Sequence, residues 1–226
     1  MLYVYAITDA PGPPRRPGLG GAELRSVGED GLFAVVSDYA AGPLEATAES
    51  LWVHEGVVEA LLGEATVLPL RFGSLVEDEG AVRALLRERR LEFVKGLERI
   101  GGAVELGLRV ALPDGEHATV GVAGAPHGEG TGPGTAYMLG RLDRERRAAD
   151  VAARVHRPLT SIARESIRRD RSLRGSVLSA SYLVDVDRVD AFRARVDELS
   201  EALDDATVVC TGPWPAYSFS SPEAGR

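Results

Sequence analysis

The chain has 226 residues, a formal net charge of −8 and a sequence pI near 5.1, with 44% hydrophobic and 27% charged residues. That is enough chain to bury a core without covalent staples, and the balance excludes a disordered or membrane-embedded class. The acidic balance argues against nucleic acid as a partner, and a single cysteine, Cys210, excludes an internal disulfide.

In chain order, Leu2 to Thr8 is apolar on both faces and predicts a central strand. Too few apolar residues stand at the start for a secretory signal, and no apolar run approaches ~18 residues, so neither a leader nor a lipid membrane is expected and the expected compartment is the cytoplasm. Pro11 to Gly21 is Pro/Gly-rich loop. Glu23 to Gly28 and Leu32 to Asp38 flank Glu29-Asp30-Gly31, a hairpin signal. Ala48 to Leu62 has helical spacing, Thr66 to Leu75 is a short apolar run broken by Pro69, and Asp78 is placed to cap a helix carrying Val82, Leu85 and Leu86. Leu91, Val94, Leu97 and Ile100 continue that period.

Val104 to Leu112 alternates as a strand, with Glu105, Gly107 and Arg109 on its polar face. Pro113 to Gly134 lacks any period and predicts a flexible loop. A long helix follows over Ala136 to Arg174, bent at Pro158, then a strand over Val177 to Val186, a helix from Asp187, and a strand over Ala206 to Thr211. Gly212 to Arg226 is a Pro- and aromatic-rich tail. The expected class is α+β in two domains. An N-terminal α+β domain covers 1–101, and a C-terminal domain covers 102–226, with the loop at 113–134 and the tail. The order strand–helix–strand–helix–strand favours a ferredoxin-like sandwich for the second, one strand short.

The reactive motifs are missing. The only lysine, Lys95, precedes Gly96, so no P-loop lysine exists. His54-Glu55 is followed by Val58, not the second histidine of a zinc-protease helix. His54, His117, His127 and His156 do not cluster, so no metal is expected, and His54 fits a hydrogen-bonded helix residue. Gly128 to Gly134 lacks the spacing of a dinucleotide loop, and Cys210 fits a small buried hydrophobe. We therefore expect no catalytic residue, no cofactor and no enzyme.

Three features remain. Arg141 to Arg174 carries eleven arginines against five acidic residues, a net +6 in a chain that is otherwise −14. Such a stretch suits a solvated helix face or docking to an acidic surface. In Leu68-Pro69-Leu70-Arg71-Phe72-Gly73, an arginine between apolar neighbours predicts a partly buried guanidinium held by a carboxylate or carbonyls. In Thr211-Gly212-Pro213-Trp214-Pro215-Ala216-Tyr217-Ser218-Phe219, two prolines and three aromatics predict one extended, packed path. Both strings fit either a fold-locking turn or a rigid surface for another protein.

These two strings resemble the gas vesicle protein F/L family. So do Tyr3-Val4-Tyr5-Ala6-Ile7 at the start, Ala136-Tyr137-Met138-Leu139 on the long helix and Ala180-Ser181-Tyr182-Leu183-Val184 in the next strand. The matches run in family order from residue 3 to 219. Ser74 stands where threonine is expected, and Ala216 where a third proline is common. The resemblance implies an accessory protein of gas vesicle biogenesis that binds the hydrophobic major shell protein, and other accessory proteins of the vesicle, and assists nucleation or assembly of the shell. It also implies two α+β domains, the second a modified ferredoxin-like one. Partner-binding or structural roles then fall to His54, Leu68, Pro69, Arg71, Phe72, Gly73, Gly212, Pro213, Trp214, Pro215, Tyr217 and Phe219. The competing expectation is a ferredoxin-like ligand-sensing or regulatory module unrelated to vesicles.

Overall fold

The computed structural model describes residues 1–40, 42–113, 133–169, 176–203 and 205–220, with backbone alone at 133–137. β1 (Leu2–Thr8) is buried along its whole length, as its two apolar faces require. It pairs antiparallel with β3 (Leu32–Asp38), with a register shift between Val4 and Ala6, and with the short strands β4 (Val67–Pro69) and β5 (Leu75–Val76). β2 (Leu24–Glu29) lies outside β3, so the sheet order is β2-β3-β1-β4, with β5 also on β1. The β2–β3 turn has φ of 48° at Asp30 and 80° at Gly31. Two left-handed residues are what a tight hairpin turn demands, and Asp-Gly supplies them at little cost.

α1 (Ala48–Ala60) begins at Thr47, whose hydroxyl accepts from the Ser50 N–H while the Ser50 hydroxyl accepts from the Thr47 N–H. It packs against β1 through Val57, Val58 and Leu61, in one core cluster with Tyr3, Tyr5, Leu19, Leu24, Val35 and Val67. Asp78 caps α2 (Glu79–Glu88) by accepting from the Ala81 N–H at 2.9 Å, as expected. α2 lies along β2 and β3, and α3 (Arg90–Ile100) against β4.

The rest of the chain runs β6 (Ala103–Ala111), α4 (Pro133–Thr160), β7 (Glu165–Arg168), β8 (Ser176–Asp185), α5 (Val189–Glu201) and β9 (Thr207–Trp214). The four strands form a sheet in the order β7-β8-β6-β9. Val151, Ala152, Val155 and Leu159 are the buried face of α4, and Phe192 and Val196 that of α5. The chain separates into two compact units: 1–106 with 183–187 and 212–226, and 107–182 with 188–211. The mixed helices and antiparallel sheets make the class α+β.

Two expectations are corrected. The helix drawn over Ala136 to Arg174 ends at Thr160, with Pro158 in its last turn. There the Thr160 hydroxyl donates to the Arg157 carbonyl at 2.8 Å and the Ser161 hydroxyl to the Pro158 carbonyl at 2.7 Å, closing the helix end. Ile162 and Ile167, which continue in sequence the apolar spacing of Val155 and Leu159, lie beyond the helix end, and Ile167 belongs to β7, the strand missing from the sequence pattern. At the other end, α4 already includes Pro133 and Gly134, and the remainder of the loop expected over 113–134 lies, from 114 to 132, outside the described residues.

Candidate functional site

Both strings converge on His54. α1 turns its side chain inward, where it is 1% exposed. Its Nε2 lies 3.2 Å from the Leu70 carbonyl, which accepts only, so Nε2 carries the proton. Nδ1 is then an acceptor, and the Tyr3 hydroxyl donates to it at 2.8 Å. Tyr3 Oη in turn accepts from the Gly73 N–H at 3.2 Å. The Tyr217 hydroxyl stands 3.1 Å from Nε2 and is also hydrogen-bonded to the Glu55 carboxylate. Burial holds the His54 pKa down at about 4, against a backbone bond to Leu70 that raises it. Burial likewise pushes the Tyr3 and Tyr217 hydroxyls well above the ordinary phenol range, and Tyr217 further through Glu55. Burial raises the Glu55 carboxyl too. His54 is therefore a neutral, fully bonded imidazole within a ring cluster. Tyr5 stacks on it at 5.7 Å between centroids, and Phe72 approaches edge-on at 5.8 Å.

The tail is fastened at three successive residues. After Tyr217, the Ser218 N–H and hydroxyl donate to the two carboxylate oxygens of Glu105 at 2.8 and 2.6 Å. Phe219 is 1% exposed, and its carbonyl accepts from Arg99 at 3.3 Å. Alternation puts Glu105 on the polar face of β6 with Arg109, yet it is 8% exposed because the tail covers it. Gly212 has φ +108°, and a Cβ there would stand 2.7 Å from the Glu105 carbonyl, so the string's glycine is required on both counts. Gly212-Pro213 is a cis peptide.

The candidate residues divide by exposure. His54, Leu68, Pro69, Pro215 and Phe219 are buried, and Phe72, Gly212 and Tyr217 are half-buried. Arg71, Gly73, Pro213 and Trp214 are exposed, Trp214 by 45%. The expectation for Arg71 is corrected: the chain leaves β4 at Pro69, Phe72 packs against the core, and Arg71 is exposed where a turn begins, its carbonyl accepting from the Ser74 hydroxyl at 2.8 Å. Glu55, Arg99 and Glu105 were not singled out from sequence, because each is bonded to a segment far along the chain. Cys210 is half-buried, and burial raises its thiol pKa. Among the described residues, no three His, Cys, Asp or Glu side chains gather as a metal-binding group, and no helix is long and apolar enough to cross a membrane. Arg141 pairs with Glu145 and Arg147 with Asp205, both exposed ion pairs, so this part of the basic stretch is laced to carboxylates.

Comparison with known proteins identifies the family and the fold. A family model described as gas vesicle synthesis protein GvpL/GvpF matches residues 1–221. Gas vesicle protein L of Streptomyces sp. (strain CB03234) is 34% identical, over 97% of this chain and 92% of that protein. Gas vesicle protein F2 of Halobacterium salinarum is 32% identical, over 88% of this chain and 81% of that protein. In fold, the crystal structure of gas vesicle protein GvpF from Anabaena sp. PCC7120 superposes with a TM-score of 0.82. It does so at 20% identity, over 97% of this chain and 98% of that one.

Proposed function

We propose that this chain, which belongs to the gas vesicle synthesis protein GvpL/GvpF family, is a non-enzymatic accessory protein that binds the hydrophobic major shell protein of the vesicle. In this reading it assists nucleation or assembly of the shell in the cytoplasm and needs neither metal nor cofactor. The observation that carries it is the family match over residues 1–221. The chemistry of the centre supports it. Among the described residues His54 is the one histidine in that cluster, and both its nitrogens are bonded to groups that also hold the fold, so it is not poised to react. A shell subunit with an apolar face aggregates when released into water, and a partner that covers that face until it is incorporated prevents this.

Contact with the shell protein falls to the two large side chains among the exposed members of the two strings, Arg71 and Trp214. Trp52 on α1, 75% exposed, is a third large contact residue of the same unit. Aromatic and arginine side chains dominate the energetics of interfaces. The test is co-expression with the major shell protein followed by a pull-down and thermal melts. Arg71→Ala and Trp214→Ala should melt within about 0.5 kcal/mol of the parent, as exposed substitutions do, while recovering less shell protein. Parent protein that recovers none would refute the reading. Variants that melt normally and bind as the parent does would move the contact elsewhere.

A further inference from the structure

Each sheet has two edges, and three of the four are managed as natural edges are. β2 carries Arg25, paired with Asp38 and Glu79 at 3.0 and 3.1 Å, and Glu29, paired with Arg87 at 2.8 Å; α2 lies along it. At the opposite side of that sheet β4 has three residues and β5 two. β7 has four, two of them the charged Glu165 and Arg168. Charge and brevity are the usual protections of an open edge. β9 has neither. It is eight residues long and begins the longest run in the chain without Asp, Glu, Lys or Arg, Ala206 to Pro222. Thr207, Val209 and Thr211 are exposed, Val209 by 47%, and among the described residues no strand pairs with its outer side.

The sequence of this edge also selects what would lie on it. Thr207-Val208-Val209-Cys210-Thr211 reads almost the same in both directions. We propose that β9 is the interface of a two-fold dimer, in which β9 of one copy runs antiparallel to β9 of a second about Val209. A two-fold contact must be self-complementary. About Val209 it sets Thr207 opposite Thr211 of the second copy and Val208 opposite Cys210. Val209 meets its own counterpart. Threonine pairs and β-branched pairs are favourable across strands, and no like charges meet because the edge has none. The pairing turns two four-stranded sheets into one continuous sheet and removes the open edge. It goes beyond the shell-binding reading and does not depend on it.

The test uses the full chain in sedimentation velocity across the micromolar range, with two double variants at the exposed threonines. Thr207→Lys with Thr211→Lys places like charges opposite one another twice and should weaken self-association about tenfold. Thr207→Lys with Thr211→Glu places opposite charges in the same two positions and should restore it. Both variants should keep the parent's circular dichroism and melting temperature. A second measurement is independent of charge: Val209→Cys in a Cys210→Ser background should form a disulfide-linked dimer under mild oxidation. Opposed strand residues lie about 4.5–5.5 Å apart, within disulfide reach. A parent that stays monomeric throughout the range, double variants that behave alike, or a cysteine variant that does not cross-link would each overturn the proposal. A parent that stays monomeric yet binds an extended segment of another protein along β9 would overturn it in favour of that partner.

Discussion

At His54 the ring is neutral because both nitrogens are already spoken for, and that has a measurable pH signature. In the unfolded chain the imidazole takes a proton near its ordinary value of 6.5, whereas in the fold it resists until about 4. The unfolded state therefore binds the extra proton between those values, and stability falls as pH drops from 6.5 to 4. The loss approaches about 3 kcal/mol below the folded value and is absent above pH 7. Thermal melts across this range should show it, and His54→Gln should remove this part of the slope while lowering stability at neutral pH. An unchanged slope in the variant would place the proton elsewhere. His156, also depressed by burial and by Arg168, acts in the same direction in both proteins. Loss of the hydroxyl in Tyr217→Phe removes the bonds to His54 and Glu55 and should cost on the order of 1 kcal/mol. The role of His54 as a bonded helix residue was legible in the sequence, since no second ligand or base stood at a workable spacing. The exposure of Arg71 was not. Apolar neighbours on both sides suggest burial, but the chain leaves β4 before Arg71 and enters a surface turn there, so its neighbours do not fix where its side chain goes.

At the scale of elements, local chemistry was the most legible. The Asp-Gly turn, the Asp78 cap and the central position of β1 all follow from residues close together in sequence. Asp78→Ala should destabilise by about 1 kcal/mol, read from denaturant midpoints at constant slope. The errors came where a pattern had two solutions. Ile162 and Ile167 fit a helical period as well as they fit what they form, a closed helix end and a short strand, and only the hydroxyls of Thr160 and Ser161 on the last carbonyls decide between them. Glu105 fits the polar face of β6 by alternation, yet it is buried by a tail that arrives 113 residues later. Glu105→Ala would leave the Ser218 N–H and hydroxyl without their carboxylate, at a cost of about 1–3 kcal/mol. It should also admit proteases at 215–220 before the rest of the chain is cut. Mass spectrometry of limited digests would show whether the tail is released first; equal cutting elsewhere would mean that Tyr217 and Phe219 hold it without Glu105.

For the whole molecule, the α+β class was legible from the order of strand and helix patterns, and the tail's destination was not. Chain order groups Gly212 to Phe219 with the second half, but Tyr217, Ser218 and Phe219 complete the core around His54 and Glu105 in the unit that begins at Met1. No periodicity encodes that, because the contacts are single residues rather than a repeating face. A chain cut after Thr211 should lose the burial of Phe219, about 3–5 kcal/mol, together with the Tyr217 and Ser218 bonds. Its melting temperature should fall by at least about 10 °C. A truncated chain that melts like the parent would show the tail to be an ornament. The same topology bears on how the protein is made. A nascent chain is threaded out from its N-terminus and usually folds in that order, but here the opening unit lacks part of its interior until synthesis has passed Phe219. Translation that stalls earlier, anywhere up to Thr211, presents a core whose histidine and tyrosines lack their last partner. Completion of the first-made part is thus deferred to the last-made residues, and a prematurely terminated product carries its defect at its centre, where degradation machinery that samples loosened cores can find it.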